Sequence, residues 1–134
     1  MAVVAFGKTA KAPQDFYLYA EEKIILQGNS ISSLSNKGVN PNDPKVILGL
    51  KVKKYLINYE EIYQTIICES NFRHEGVFGD SGKAYGIAQF HKPTFDGFCE
   101  GDYYNMEDQL ECMAKMFSNN LQSHWTCFSR LYGI

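Results

Sequence analysis

"ICESNFRHEGVFGDSGKAYGIAQF", residues 67–90, closes an apolar run on a glutamate and continues with glycines at positions 76, 79, 82 and 86. Upstream of it, Asn58 with Glu61 is spaced to satisfy two free N–H groups reciprocally at a helix start. In the helix that follows, Ile62, Ile66 and Glu69 share a face. The Glu69 side chain therefore leaves the helix C-terminus along the stripe that faces the interior. Downstream, glycines interleaved with polar residues predict a short β-hairpin with "GDSG" (79–82) as its turn. A helix ending on an acid beside a small hairpin is the frame that the rest of the chain must fit.

Working outward, Asp43 before Pro44 is a second helix start, a capping side chain followed by a proline whose missing N–H is harmless there. Leu48, Val52, Tyr55 and Leu56 form its apolar face. Pro93 opens a short helix. Asn105 with Asp108 caps a longer one whose core face is Leu110, Met113, Ala114, Phe117 and Leu121. Residues 28–44 have loop composition, and "DFYLYAEEKIILQ" (15–27) reads equally as two short strands or one helix. The expected fold class is α+β, predominantly α-helical, in one domain over 1–134 with an N-terminal extension (1–43) and a core (44–134).

An apolar fraction of 45% with 21% charged residues is globular, and a formal net charge of −2 offers no basic field for nucleic acid. Lys51, Lys53 and Lys54 read as a solvated helix face. No apolar run approaches the ~20 residues that span a bilayer, and "MAVVAFGKTA" is too short before Lys8 for a signal-peptide core. The expectation is a monomer without its own signal peptide, acting outside the cytoplasm after losing a leader or leaving by another route, such as phage delivery. Four cysteines, at 68, 99, 112 and 127, lack paired zinc spacing and suit two disulfides in an oxidising compartment. Cys68–Cys127 with Cys99–Cys112 is the favoured pairing of three, against the alternative of four buried thiols. His74, His91 and His124 show no metal-binding register, and no cofactor is expected.

Burial disfavours an ionised carboxylate, and the negative end of the helix dipole acts in the same direction, so both raise the pKa of Glu69. An acid raised to about 6 retains a proton near neutrality and can give it to a leaving oxygen. The structural alternative is a glutamate that caps a turn or pairs with Arg73 one turn on.

"CESNF" (68–72), then "GKAYGIAQF" (82–90), then "NMEDQLECMAKMF" (105–117) with "HW" (124–125) resemble, in order, the signature of lytic transglycosylases and the wider lysozyme-like superfamily. The resemblance spans Tyr55 to Trp125, about half the chain. It implies a lysozyme-like fold with a small β-hairpin beside an active-site cleft, acting on the β-1,4 bond between N-acetylmuramic acid and N-acetylglucosamine in peptidoglycan. By the same resemblance Glu69 is the catalytic acid, Ser70 orients the site, Gly86 lets backbone approach the sugar and Gln89 offers an amide. Met116 and Phe117 depart from the family, which often carries a tyrosine hydroxyl in that region.

A hydrolase needs a second carboxylate, for which Asp80 on the hairpin is the candidate, although aspartate in "GDSG" also suits a plain turn. A transglycosylase needs only one acid, because the substrate's own C6 hydroxyl closes a 1,6-anhydro ring. Tyr85, Tyr103, Tyr104 and Trp125 are candidates to stack on sugar rings, with Tyr103 and Tyr104 expected to be exposed in a polar loop and Trp125 equally suited to the core. The competing class is a lysozyme-like scaffold that binds glycan or a protein without cutting it. A chitin-type polymer is a further candidate substrate.

Overall fold

Asp43 accepts a hydrogen bond from the Lys45 N–H at 2.8 Å and starts α1 (Pro44–Tyr55). A computed structural model describes residues 38–133. The open reading of residues 15–27 and most of the 28–44 loop lie outside the described residues. Asn58 Oδ1 accepts from the Glu61 N–H at 3.1 Å and starts α2 (Tyr59–Glu69), and Asn105 does the same for Asp108 at 2.9 Å at the head of α4 (Met106–Ser118). Pro93 lies in the first turn of α3 (Lys92–Phe98), and α5 (Thr126–Tyr132) stops at Gly133 in the left-handed region, φ 73°. The starts of α1, α2 and α4 therefore use the capping side chains that propensity favours, and α3 has a proline in its first turn.

The hairpin forms between β1 (Phe78–Gly79) and β2 (Ala84–Tyr85), with Phe78 opposite Tyr85 and a 3-10 turn at Asp80–Gly82. A third antiparallel strand, β3 (Phe90–His91), pairs on the far side of β2 with Tyr85 opposite Phe90. The chain is thus α+β, with five α-helices and one small sheet among the described residues. Strands of two residues carry no alternation to read, and β3 escapes a pattern search for that reason.

Leu48, Ile62, Ile66, Ile87, Leu110 and Met113 are fully buried and join α1, α2, α4 and the sheet into one core. Outside it, α1 and α4 are joined by charge. Lys51 Nζ lies 3.1 Å from Glu107 and 3.0 Å from Glu111, Lys54 Nζ lies 2.6 Å from Glu111, and the Tyr55 hydroxyl also donates to Glu111. Burial raises the Glu111 carboxyl, but the hydrogen bonds from Lys54, Tyr55 and Lys51 outweigh it and hold the group down to about 2. Two lysines of the expected solvated face are therefore ion-pair partners. The disulfides are Cys68–Cys127, joining the end of α2 to the start of α5, and Cys99–Cys112, tying the end of α3 to α4.

After Tyr85, residues 86–88 are buried between β2 and β3, where a backbone without a regular ladder must find other partners. The Gly86 N–H donates to the Val77 carbonyl at 2.9 Å, and side chains supply most of the rest. Gln109, fully buried on α4, donates from Nε2 to the carbonyls of Tyr85 (3.0 Å) and Tyr103 (2.8 Å) and accepts from the Ala88 N–H (3.0 Å). His74 Nδ1 accepts from the Ile87 N–H at 3.0 Å, so its Nε2 carries the hydrogen directed to the Tyr104 carbonyl at 2.9 Å. Ser70 Oγ donates to the Ile87 carbonyl (2.7 Å), Trp125 Nε1 to the Ala88 carbonyl (2.8 Å) and Gln89 Nε2 to the Gly86 carbonyl (2.9 Å).

Gly86 has φ 87°, and a Cβ there would lie 2.6 Å from Gln109 Nε2 and 2.8 Å from His74 Cε1. Its lack of a side chain makes room for the buried network. Gly86→Ala should cost about 2–4 kcal/mol, combining left-handed strain with disruption of buried hydrogen bonds. A fall in the urea midpoint without a change in slope would measure it, and an unchanged midpoint would show that the network tolerates a methyl group.

Candidate active site

Glu69 is the last residue of α2, half-buried, and follows Cys68 of the Cys68–Cys127 bridge. The bridge, with 6.0 Å between its Cα atoms, holds the C-terminal end of α2 against the first turn of α5. Burial raises the Glu69 pKa, while a hydrogen bond from the Cys127 backbone N–H and the positive charge of Arg130 oppose it without cancelling it. The carboxyl group thus meets the N-terminal end of α5 as well as the C-terminal end of α2, and the two helix dipoles act on it in opposite directions. Arg73 does not take the acid: its Nε donates to the Ser70 carbonyl at 3.1 Å.

An open cleft of about 270 Å³ has Glu69, Asp80, Gln89, His91, Trp125, Thr126, Cys127 and Arg130 among its lining residues. It continues past Trp125 into a hollow of about 240 Å³ reaching Phe90 and Thr94. In the same cleft, Asp80 Oδ2 lies 2.8 Å from His91 Nε2, and both side chains are well exposed. Asp80 and Ser81 adopt left-handed φ values of 52° and 58°, which aspartate tolerates better than most residues.

Glu69, Asp80 and Gln89 thus share one cleft, whereas several other candidates lie elsewhere. Ser70 is 3% exposed and spends its hydroxyl on the Ile87 carbonyl. Gly86 is buried and faces Gln109 and His74, so its expected approach to a sugar gives way to a packing role. Gln89 lines the cleft but gives both amide hydrogens to the carbonyls of Val77 and Gly86, and its Oε1 lies where a Cβ on Gly79 would be.

Tyr103 corrects the expectation of exposure: it is 7% exposed, and its hydroxyl donates to the Phe90 carbonyl at 2.6 Å. A long aromatic side chain in a polar loop still turns inward where a buried carbonyl waits for it. Tyr85 is also buried, under the rings of Phe78 and Tyr104, while Tyr104 is exposed on the outer face of that stack. Trp125 packs against Phe90 and Phe117, the core placement it was equally suited to, and also lines the cleft. Met116 and Phe117 are buried.

His91, His124, Thr126 and Arg130 line the cleft although the motifs did not single them out as site residues. The Cys68–Cys127 pairing was the available signal, since it brings the neighbours of position 127 beside Glu69. Among the described residues no three His, Cys, Asp or Glu side chains converge to hold a metal ion, and no helix is long and apolar enough to cross a membrane. No protein-family model matches the chain, and no curated protein or solved structure matches it.

The raised acid carries a stability signature. A carboxyl group that binds its proton more tightly when folded makes the native state lose stability as pH rises from its ordinary value of 4.5 through its raised one. Glutamine in its place does not titrate. Relative to the parent, Glu69→Gln should therefore gain stability across that window and hold the gain above it, as read by thermal unfolding between pH 4 and pH 8. A pH-independent difference would show that Glu69 titrates as an ordinary surface acid.

Proposed function

We propose that this protein is a lysozyme-like glycosidase that cleaves the β-1,4 bond between N-acetylmuramic acid and N-acetylglucosamine in peptidoglycan, with Glu69 as general acid. The observation that carries the reading is a half-buried carboxyl group with a raised pKa on the wall of an open, polar cleft. Perturbed acids in clefts are where proton-transfer chemistry is found. Together with the ordered motifs around Glu69, the hairpin whose Asp80 shares its cleft supports a lysozyme-like reading of the α+β fold. Two disulfides suit work in an oxidising, extracytoplasmic setting.

In this reading the glycan strand lies along the cleft, and Glu69 donates its proton to the glycosidic oxygen as the C1–O bond breaks. Cys127 N–H and Arg130 then stabilise the carboxylate that is left. Burial keeps the proton available beforehand, and the two opposing groups ease its departure. The same group can therefore act as acid and afterwards as base.

Glu69→Gln should lower muropeptide release from purified cell wall by at least about a hundredfold. Its far-ultraviolet circular dichroism should match the parent, because the side chain keeps its size. Undiminished release would refute the role of Glu69, and glycan binding by the parent without turnover would leave a non-cutting scaffold in its place.

A further inference from the structure

The cleft that Glu69 lines carries a second feature that the acid alone does not use. His91, the last residue of β3, turns its Nε2 to Asp80 Oδ2 at 2.8 Å, with Asp80 at the head of the hairpin turn. An ionised carboxylate can only accept, so Nε2 carries the hydrogen and the lone pair of the neutral ring sits on Nδ1. Nδ1 makes no hydrogen bond among the described residues. With 44% of the side chain exposed, water reaches it. His124, also in the cleft, has no such carboxylate among the described residues; its ring packs on Phe98 at 5.1 Å.

We infer that His91, oriented by Asp80, is the base that activates water in this cleft, making the protein a hydrolase that inverts the anomeric centre. This rests on the reading of Glu69 as the acid and deepens it. Imidazole is the side chain whose ordinary proton affinity suits base catalysis near neutrality, and a carboxylate behind it fixes the tautomer and stabilises the imidazolium that forms. Asp80 is then the positioning residue.

The step balances with water as its only co-reactant. Glu69 gives its proton to the leaving O4 of N-acetylglucosamine as the C1–O4 bond breaks. A water oxygen bonds to C1 of N-acetylmuramic acid from the opposite face, and its proton passes to His91 Nδ1. Solvent returns a proton to Glu69 and takes one from His91. A β bond opened in this single displacement gives an α-configured reducing end that carries the oxygen of water. Ring closure by the C6 hydroxyl would give an anhydro end with no solvent oxygen.

The test digests purified peptidoglycan with the full chain in ¹⁸O-water and follows early products by mass spectrometry and proton NMR. Expected are reducing ends labelled at C1 and first formed in the α configuration. His91→Ala should lose about a hundredfold in kcat with little change in KM, and added imidazole should restore part of the loss. Asp80→Asn should lower kcat less and leave hydrolysis as the outcome. Anhydro ends as the sole product of the parent, or His91→Ala within twofold of it, would overturn the inference while Glu69-dependent cleavage stood. Absence of any cleavage by the parent would overturn both.

Discussion

The structure depends on a short buried connection that has no regular partner strand for its peptide groups. Residues 86–88 run between β2 and β3, and their polar backbone atoms, with the Tyr85 carbonyl before them, are met mainly by side chains of Gln109, His74, Ser70, Trp125 and Gln89. These side chains come from α4, the ends of α2 and α5, and the neighbouring loops. A buried amide left without a partner costs roughly 1–3 kcal/mol, so the set works only when it is complete. Completeness has a geometric consequence. The sheet can occupy only one position relative to the end of α2, and that position determines the width of the cleft.

The acid is held from the other direction. Cys68 and Cys127 join the two helix ends that flank Glu69, so the carboxyl group faces the first turn of α5 whatever the cleft contains. A disulfide closing a loop of this length contributes about 4 kcal/mol in the chain-entropy account. That reserve offsets an arrangement that disfavours the ionised acid at neutral pH. Burying an ionisable group without neutralising it is a local instability, and such instabilities persist where the surrounding structure over-determines them.

Much of the frame was legible in the sequence because its signals are local. Asp43, Asn58 and Asn105 mark helix starts through side chains that bond N–H groups two or three residues away, and amphipathic spacing marks most of the faces that reach the core, although Leu56, read into the α1 face, is the left-handed residue after the helix and is exposed. The cysteine pairing was also open to inference. The candidate site was legible in part. Glu69, Asp80 and Gln89 meet in the cleft, but Ser70, Gly86 and Tyr103 were read as exposed or sugar-facing chemistry and serve buried carbonyls and packing. No local signal separates a hydroxyl that faces a ligand from one that faces a carbonyl 17 residues away, because the difference lies in tertiary partners. His91 and Arg130 were hidden for the same reason, since each gains its meaning from a group distant in sequence.

Trp125 shows how the two halves of the problem meet in one side chain. Its Nε1–H completes the Ala88 carbonyl, its ring packs on Phe90 and Phe117, and it lines the cleft that Glu69 and the Asp80–His91 pair also line. An indole is suited to this because it is broad and apolar with a single donor at its edge. A smaller aliphatic residue would leave the carbonyl unpaired, and a polar one would admit water beneath the network. Water admitted there would weaken the hydrogen bonds that position the sheet and would also solvate the acid, returning it toward ordinary behaviour. Packing and chemistry therefore meet at this position: the side chain that helps bury residues 86–88 also lines the cleft in which burial raises the pKa of Glu69.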